Sequence, residues 1–322
     1  MAPSKLLTVF GATGNQGGSV IANVLSNPQL SSEYKLRGIT RDPSKPNAKK
    51  LTEKGVEMVS ADMNDTDALR KAISGSSAVF CVTNYWETMS KETEVKQGQN
   101  VADVSKEAGV KHLIWSSLPH ATKLTNGELS HIEHFDGKAE IEEYIESIKG
   151  GSDMVASYWR PGFFMSNIKG MIQPDQSTGV ATWKMPFNAE KTQVGLLDVV
   201  ADTGKFVAGL LLADAKSVDG FQVNGVSEWM TPKQIVDTIS ETAGTKVEFQ
   251  EVSGDEYESY LPPAIAKELK ENMLLVRDYS YFGKGTEKTQ AESNKILGDT
   301  KLTTWQEFVK HNGPWEWKSG GQ

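Results

Sequence analysis

The chain has a single cysteine, Cys81, so no disulfide can form within it. Cys81 lies in the apolar run Ala78-Val79-Phe80-Cys81-Val82, where a thiol reads as an inert core group. No apolar run approaches the roughly 18 residues that a membrane-crossing helix needs. Positive charge is not in excess: 34 Lys and Arg stand against 42 Asp and Glu, a net charge of −8. Nucleic-acid affinity rests on clustered basic residues, so direct binding to DNA or RNA is not expected. Internal repeats and low-complexity stretches are lacking too. With 38% hydrophobic and 24% charged residues over 322, the composition is that of a soluble chain long enough for one large domain and a smaller lobe. An apolar run already under way at Leu6 leaves no room for a signal peptide. The expected location is the cytosol, with the nucleus open as well, and no metal site or membrane contact is expected.

What is present is alternation. Short apolar runs at 6–10, 35–40, 57–60, 78–82, 112–116 and 154–159 are separated by amphipathic stretches near 17–26, 65–74, 92–108 and 133–148. Connections of this length predict right-handed crossovers and a parallel sheet covered on both faces, an α/β fold of the doubly wound Rossmann kind. After about Pro161 helical periodicity dominates, over 199–212, 232–243, 263–272 and 304–311, with short strands near 221–226 and 247–252. Thr231-Pro232 reads as an N-cap followed by proline at the first helical position, and Thr304-Trp305-Gln306-Glu307 as a capping box. The expected division is a Rossmann unit over 1–160 and a smaller, mainly helical lobe over 161–322, with one or more segments returning to the sheet. The tail 319–322 reads as frayed.

Directly after the first apolar run comes Gly11-Ala12-Thr13-Gly14-Asn15-Gln16-Gly17-Gly18. Gly11 permits a tight exit from the strand, Gly14 lets a pyrophosphate approach the backbone, and Gly17 lets the helix pack close to the sheet. The helix that follows aims unpaired N–H groups and its positive dipole end at the phosphates, with Thr13, Asn15 and Gln16 in the same turn. A glycine-rich loop without a ligand is the alternative, and the strand–turn–helix context weighs against it. An NAD-preferring site ends its second strand with an acid. Here that strand ends Arg37-Gly38-Ile39-Thr40-Arg41. Arg41 can hold a 2′-phosphate bidentately, with help from Lys45, so NADP(H) is expected in preference to NAD(H). Asp62, after the third strand, either reaches the adenine amine or serves as a loop residue or cap.

Short-chain dehydrogenases carry Tyr-x-x-x-Lys on the helix after the fifth strand. At the matching place stands His134-Phe135-Asp136-Gly137-Lys138, with the spacing kept and histidine in place of tyrosine. Lys138 reads as the ligand of the nicotinamide ribose and a catalytic group. His134 reads as a proton donor, or as a capping or packing residue beside His131. Gly137 costs a helix about 1 kcal/mol relative to alanine, so packing or ligand approach must account for it. Ser117, at the end of the fifth strand, would polarise a carbonyl or merely form a turn. Thr83-Asn84-Tyr85 would wall the nicotinamide ribose. In Pro161-Gly162-Phe163-Phe164, the turn would let backbone approach the carboxamide while Phe163 and Phe164 shield the ring from water; core packing between lobes is the alternative.

The glycine turn, Val82-Thr83-Asn84-Tyr85-Trp86-Glu87, Val95-Lys96-Gln97-Gly98 and the run from His134 to Tyr144 together resemble the NmrA-like family, an atypical branch of the short-chain dehydrogenases. The likeness extends over essentially the whole chain, including Trp305-Gln306. It implies a Rossmann fold with a small C-terminal lobe, bound NADP(H), and binding roles for Gly11, Gly14, Gly17, Arg41, Lys138 and the Thr83-Asn84 turn. Some members of that family are redox sensors acting through protein contacts. The naming example represses nitrogen metabolism in filamentous fungi through a GATA-type transcription factor. Others are reductases, some in secondary metabolism. The resemblance thus implies a redox-state sensor or transcriptional regulator with a GATA-type partner. The alternative is an NADPH-dependent oxidoreductase acting on a small carbonyl, quinone or imine. The histidine at 134 leaves that choice open.

Overall fold

The computed structural model describes residues 4–175 and 177–317; the tail 319–322 lies outside the described residues. The first half carries strands β1 (Lys5–Val9), β2 (Tyr34–Thr40), β3 (Glu57–Ser60), β4 (Ala78–Cys81), β5 (His112–Ser116) and β6 (Val155–Pro161). The second carries β7 (Phe163–Phe164), β8 (Ile172–Pro174), β9 (Ala181–Met185), β10 (Val194–Leu197), β11 (Gln222–Gly225), β12 (Glu228–Met230) and β13 (Val247–Glu251). The helices are α1 (Asn15–Ser26), α2 (Pro28–Glu33), α3 (Pro46–Glu53), α4 (Thr66–Ile73), α5 (Lys91–Glu107), α6 (Ala121–Leu124) and α7 (Glu133–Ile148) in the first half. They continue with α8 (Met165–Met171), α9 (Val199–Leu212), α10 (Pro232–Ala243), α11 (Gly254–Ser259), α12 (Pro263–Tyr279), α13 (Thr286–Asn294) and α14 (Trp305–His311). No described helix is long and apolar enough to cross a membrane.

The central sheet runs β11-β6-β5-β4-β1-β2-β3, and every neighbouring pair is parallel. Leu7, Val9 and Phe80 are wholly buried, as strands covered on both faces require. On one face Val20, Ile21 and Val24 of α1 meet Phe206, Val207 and Leu210 of α9. On the other, Leu69 and Ile73 of α4, Val101 of α5 and Ile141 of α7 close the second layer. Strand order reverses between β1 and β4, which opens a crevice at their carboxyl ends.

The second half carries more short strands than its periodicity suggested, and segments of it join the central layers. α9 and β11 complete the Rossmann layers. A Cβ on Gly204 of α9 would lie 2.2 Å from the Ser19 carbonyl oxygen of α1, and the Gly204 N–H donates to Ser19 Oγ at 2.9 Å. The remaining strands form two small sheets, β12-β10-β7 and β13-β9-β8. Strands β7, β8 and β12, of two or three residues, are too short for a readable period, and β9 and β10 escaped the sequence as well. Capping boxes at Thr231/Gln234 and Thr304/Glu307 start α10 and α14. Trp183, Phe187 and Trp305 are wholly buried in the core of this lobe.

Candidate functional site

A cleft of about 730 Å³ opens at the crevice and continues between the sheet and the lobe. Of the cofactor and catalytic residues singled out from the sequence, all but Lys45 and Ser117 line it. Lys45 is exposed at the start of α3, where its charge faces water. Ser117 is wholly buried, with Oγ 3.3 Å from the Leu118 carbonyl oxygen and 3.4 Å from that of Lys138; it ties the strand end to α7 and does not reach the cleft.

The outer end is the glycine turn. Gly11 has φ +63°, and a Cβ on Gly17 would lie 2.3 Å from the Gly11 carbonyl oxygen. No side chain caps α1, whereas Asp65, Ser90 and Asp198 cap α4, α5 and α9. The first N–H groups of α1 therefore face the cleft without a capping acceptor, the arrangement that a phosphate satisfies. The Gln16 amide oxygen accepts from Ser116 Oγ at 2.8 Å and Trp159 Nε1 at 3.1 Å, so this side chain anchors the turn to the sheet. Arg41 is exposed at the rim and paired with Glu87. Asp62 accepts from both the backbone N–H and the side-chain amide of Asn64 at 2.8 Å, closing a turn beside the cleft.

Deeper in, Thr83 Oγ1 donates to Glu94 Oε1 at 2.6 Å, and Lys138 Nζ pairs with the same oxygen. Glu94 is 1% exposed, which makes this a buried ion pair. It also explains Gly137, where a Cβ would lie 3.0 Å from Glu94 Oε2. Gly98 does the converse, since a Cβ there would lie 2.5 Å from Ile141 Cδ1. The two glycines let α5 and α7 cross closely enough for the carboxylate of one to reach the lysine of the other.

α7 starts without a side-chain cap of its own, and α12 supplies one. Glu268 Oε1 accepts the His134 backbone N–H at 3.0 Å and lies 2.6 Å from His134 Nδ1. Glu271 engages His131 in the same way, at 2.8 and 2.7 Å. Tyr85 donates its hydroxyl to Glu268 Oε2 at 2.9 Å. Burial pushes the Glu268 carboxyl up, but His134 and Tyr85 outweigh it and the net shift is down. Burial and Glu268 together push the Tyr85 phenol far up, so it stays protonated. The His134 ring lies against Trp86, centroids 4.9 Å apart, and no protein group among the described residues bonds Nε2.

Gly162 lines the cleft and also has a packing reason to be glycine. A Cβ there would lie 2.6 Å from the Gly195 carbonyl oxygen and 2.8 Å from that of Gly225, so this glycine lets the backbones of β10 and β11 approach the turn closely. Phe163 packs in the lobe core while also lining the cleft. Glu94, Glu268 and Asn272 were missed; Tyr257 and Tyr281, lobe tyrosines that the sequence offers as alternative proton donors without placing them, line the cleft. Glu268 lies 134 residues beyond His134, and no local spacing signals a contact of that range.

A parallel sheet with a glycine turn at its switch point, and a lysine-bearing helix beside it, places the protein in the dinucleotide-fold class. The NmrA-like family model matches residues 3–309, and the chain belongs to the NmrA-like family. An NmrA-like family domain-containing oxidoreductase of Penicillium ochrochloron is 32% identical over 262 residues, 77% of this chain and 76% of the relative. Among solved structures, the negative transcriptional regulator NmrA in complex with NADP superposes with a TM-score of 0.78 at 17% identity, covering 96% of this chain and 95% of that one. The NADPH-dependent quinone oxidoreductase of Escherichia coli, complexed with NADPH, gives 0.72 at 21%, covering 95% and 99%. Both structures share the fold with this chain.

Proposed function

We propose that the protein binds NADP(H) in the outer cleft and reduces a small, mainly apolar substrate in the inner cleft. The observation that carries this reading is the His134–Glu268 pair, an imidazole oriented through Nδ1 by a carboxylate, in a lined cleft beside the buried Lys138. When bound, the dinucleotide supplies the hydride. The glycine turn and the start of α1 hold its pyrophosphate, Arg41 its 2′-phosphate, and Lys138 with Thr83 its nicotinamide ribose. His134 would donate a proton from Nε2 to the oxygen or nitrogen being reduced, and Glu268 orients the ring through Nδ1. Solvent at the cleft mouth restores that proton. The relatives named as oxidoreductases support this reading.

A regulator working through protein contacts is the second reading. Trp86 and Met89 are 43% and 51% exposed beside the Arg41–Glu87 pair, and Met89 has φ +48°, a strained apolar lip for a protein partner. One experiment separates the two: NADPH consumption over quinones, aldehydes, ketones and cyclic imines, with His134→Gln and Lys138→Met as controls. Turnover that both variants abolish establishes the reductase. Tight NADPH binding with no turnover on any of these classes gives the regulator.

A further inference from the structure

The cleft runs past Lys138 into a chamber walled by Leu118, Met171, Leu269 and Met273. Three polar side chains line this chamber, Asn272, Tyr257 and Tyr281. Asn272 is 6% exposed, and its Nδ2 is buried without a hydrogen bond. Among the described residues, it is the one buried, unpartnered side chain that lines the cleft. Tyr257 and Tyr281 are 6% and 9% exposed, and burial alone pushes both phenols up, with no hydrogen bond contributing. A buried donor without an acceptor costs a fold about 1–3 kcal/mol, so a ligand acceptor is the natural partner. The charged groups beside the chamber already have partners, Lys138 with Glu94, and Glu268 with His134 and Tyr85. A charged ligand would enter with no counter-ion. Asn272 also sits one helical turn along α12 from Glu268, the residue that holds His134, roughly 6 Å between Cβ atoms.

We propose that Asn272, with Tyr257 and Tyr281, seats the substrate: a neutral, largely apolar carbonyl compound whose acceptor oxygen takes the Asn272 N–H. This rests on the reductase reading and names the class of its substrate. The amide fixes one end of the molecule, and the body lies along the apolar wall towards His134.

The test uses the full chain loaded with NADP+, so that binding is read without turnover. The probes are 1,4-naphthoquinone and its anionic 2-sulfonate, followed by calorimetry. Asn272→Leu is expected to weaken naphthoquinone about tenfold, leave NADP+ affinity unchanged, and raise the melting temperature by removing a buried amide that has no partner. Tyr281→Phe is expected to weaken it by about threefold. The sulfonate is expected to bind wild type at least about tenfold more weakly than the parent quinone, having no counter-ion in the chamber. A lowered melting temperature in Asn272→Leu overturns the proposal, because the amide then has a structural role. So does unchanged naphthoquinone affinity in both variants, or equal binding of the two probes. NADPH oxidation by bound naphthoquinone is read separately. Asn272-dependent binding without oxidation removes the reductase reading and keeps the seat. Oxidation with wild-type KM in Asn272→Leu keeps the reductase and removes the seat.

Discussion

The outer end of the cleft is made mostly of backbone: a glycine turn with φ +63° at Gly11, an uncapped helix start, and a single exposed arginine at its rim. The inner end is made of side chains that meet from afar: Thr83 after β4, Glu94 on α5, Lys138 and His134 on α7, Glu268 and Asn272 on α12. The first kind of site is set by spacing within one stretch of chain and presents the same N–H groups whatever side chains surround it. The second is set by tertiary contacts and changes with any one partner. A family can therefore keep its dinucleotide end constant while its inner end varies.

Breaking one buried pair should hurt more than any change at the rim. Glu94→Leu leaves Lys138 charged and buried without a partner, and is expected to cost about 4 kcal/mol in urea denaturation. Glu94→Leu together with Lys138→Met should recover much of that loss. Next in size is Gly17→Ala. Its methyl group meets the Gly11 carbonyl oxygen, so a loss of about 3 kcal/mol and of measurable NADPH binding is expected, read by unfolding and by nucleotide fluorescence. Arg41→Ala sharpens the outer end alone. NADPH should weaken by about 2 kcal/mol while NADH stays nearly unchanged, and equal weakening of both would remove the 2′-phosphate assignment.

Acid tests the inner end by a different route. The Glu268 carboxyl is held below its ordinary value when folded, so its contribution is full above the unfolded pKa, near 4.5. That contribution is lost as pH falls through the lower folded value. Stability should therefore fall below about pH 4.5 with a slope that Glu268→Gln reduces, while the glycine turn contributes nothing to that slope. Smallest is Glu87→Gln. The Arg41–Glu87 pair is exposed, so stability should move by less than about 0.5 kcal/mol. NADPH should bind slightly tighter once Arg41 is freed, as titration would show.

The same division decided what the sequence disclosed. Strands β1 to β6 and helices α1, α4, α5 and α7 were legible because continuous apolar runs and 3.6-residue periods are local signals. Gly11, Gly17 and the His134–Lys138 spacing were legible for the same reason. Gly137 stood out as costly, but its reason did not, since it lies in an atom on another element, Glu94 Oε2. Lys45 and Ser117 carried the right chemistry at positions that burial or solvent then took out of the cleft. Glu268 and Asn272 carried no signal at all, being polar residues inside an ordinary amphipathic helix.

The crossing of α9 over α1 at Gly204 and Ser19 bears on how the chain is made. Val20, Ile21 and Val24 are covered by residues that leave the ribosome nearly two hundred positions later. Until then the helix that opens the dinucleotide site has an apolar back and no cover, and the free edge of β6 awaits β11. The nucleotide half is therefore not a unit that can finish early and wait for the lobe. A fragment ending near residue 160 is expected to be sticky and unfinished, which sets the shortest version of this protein worth expressing well beyond the point where its motifs stop.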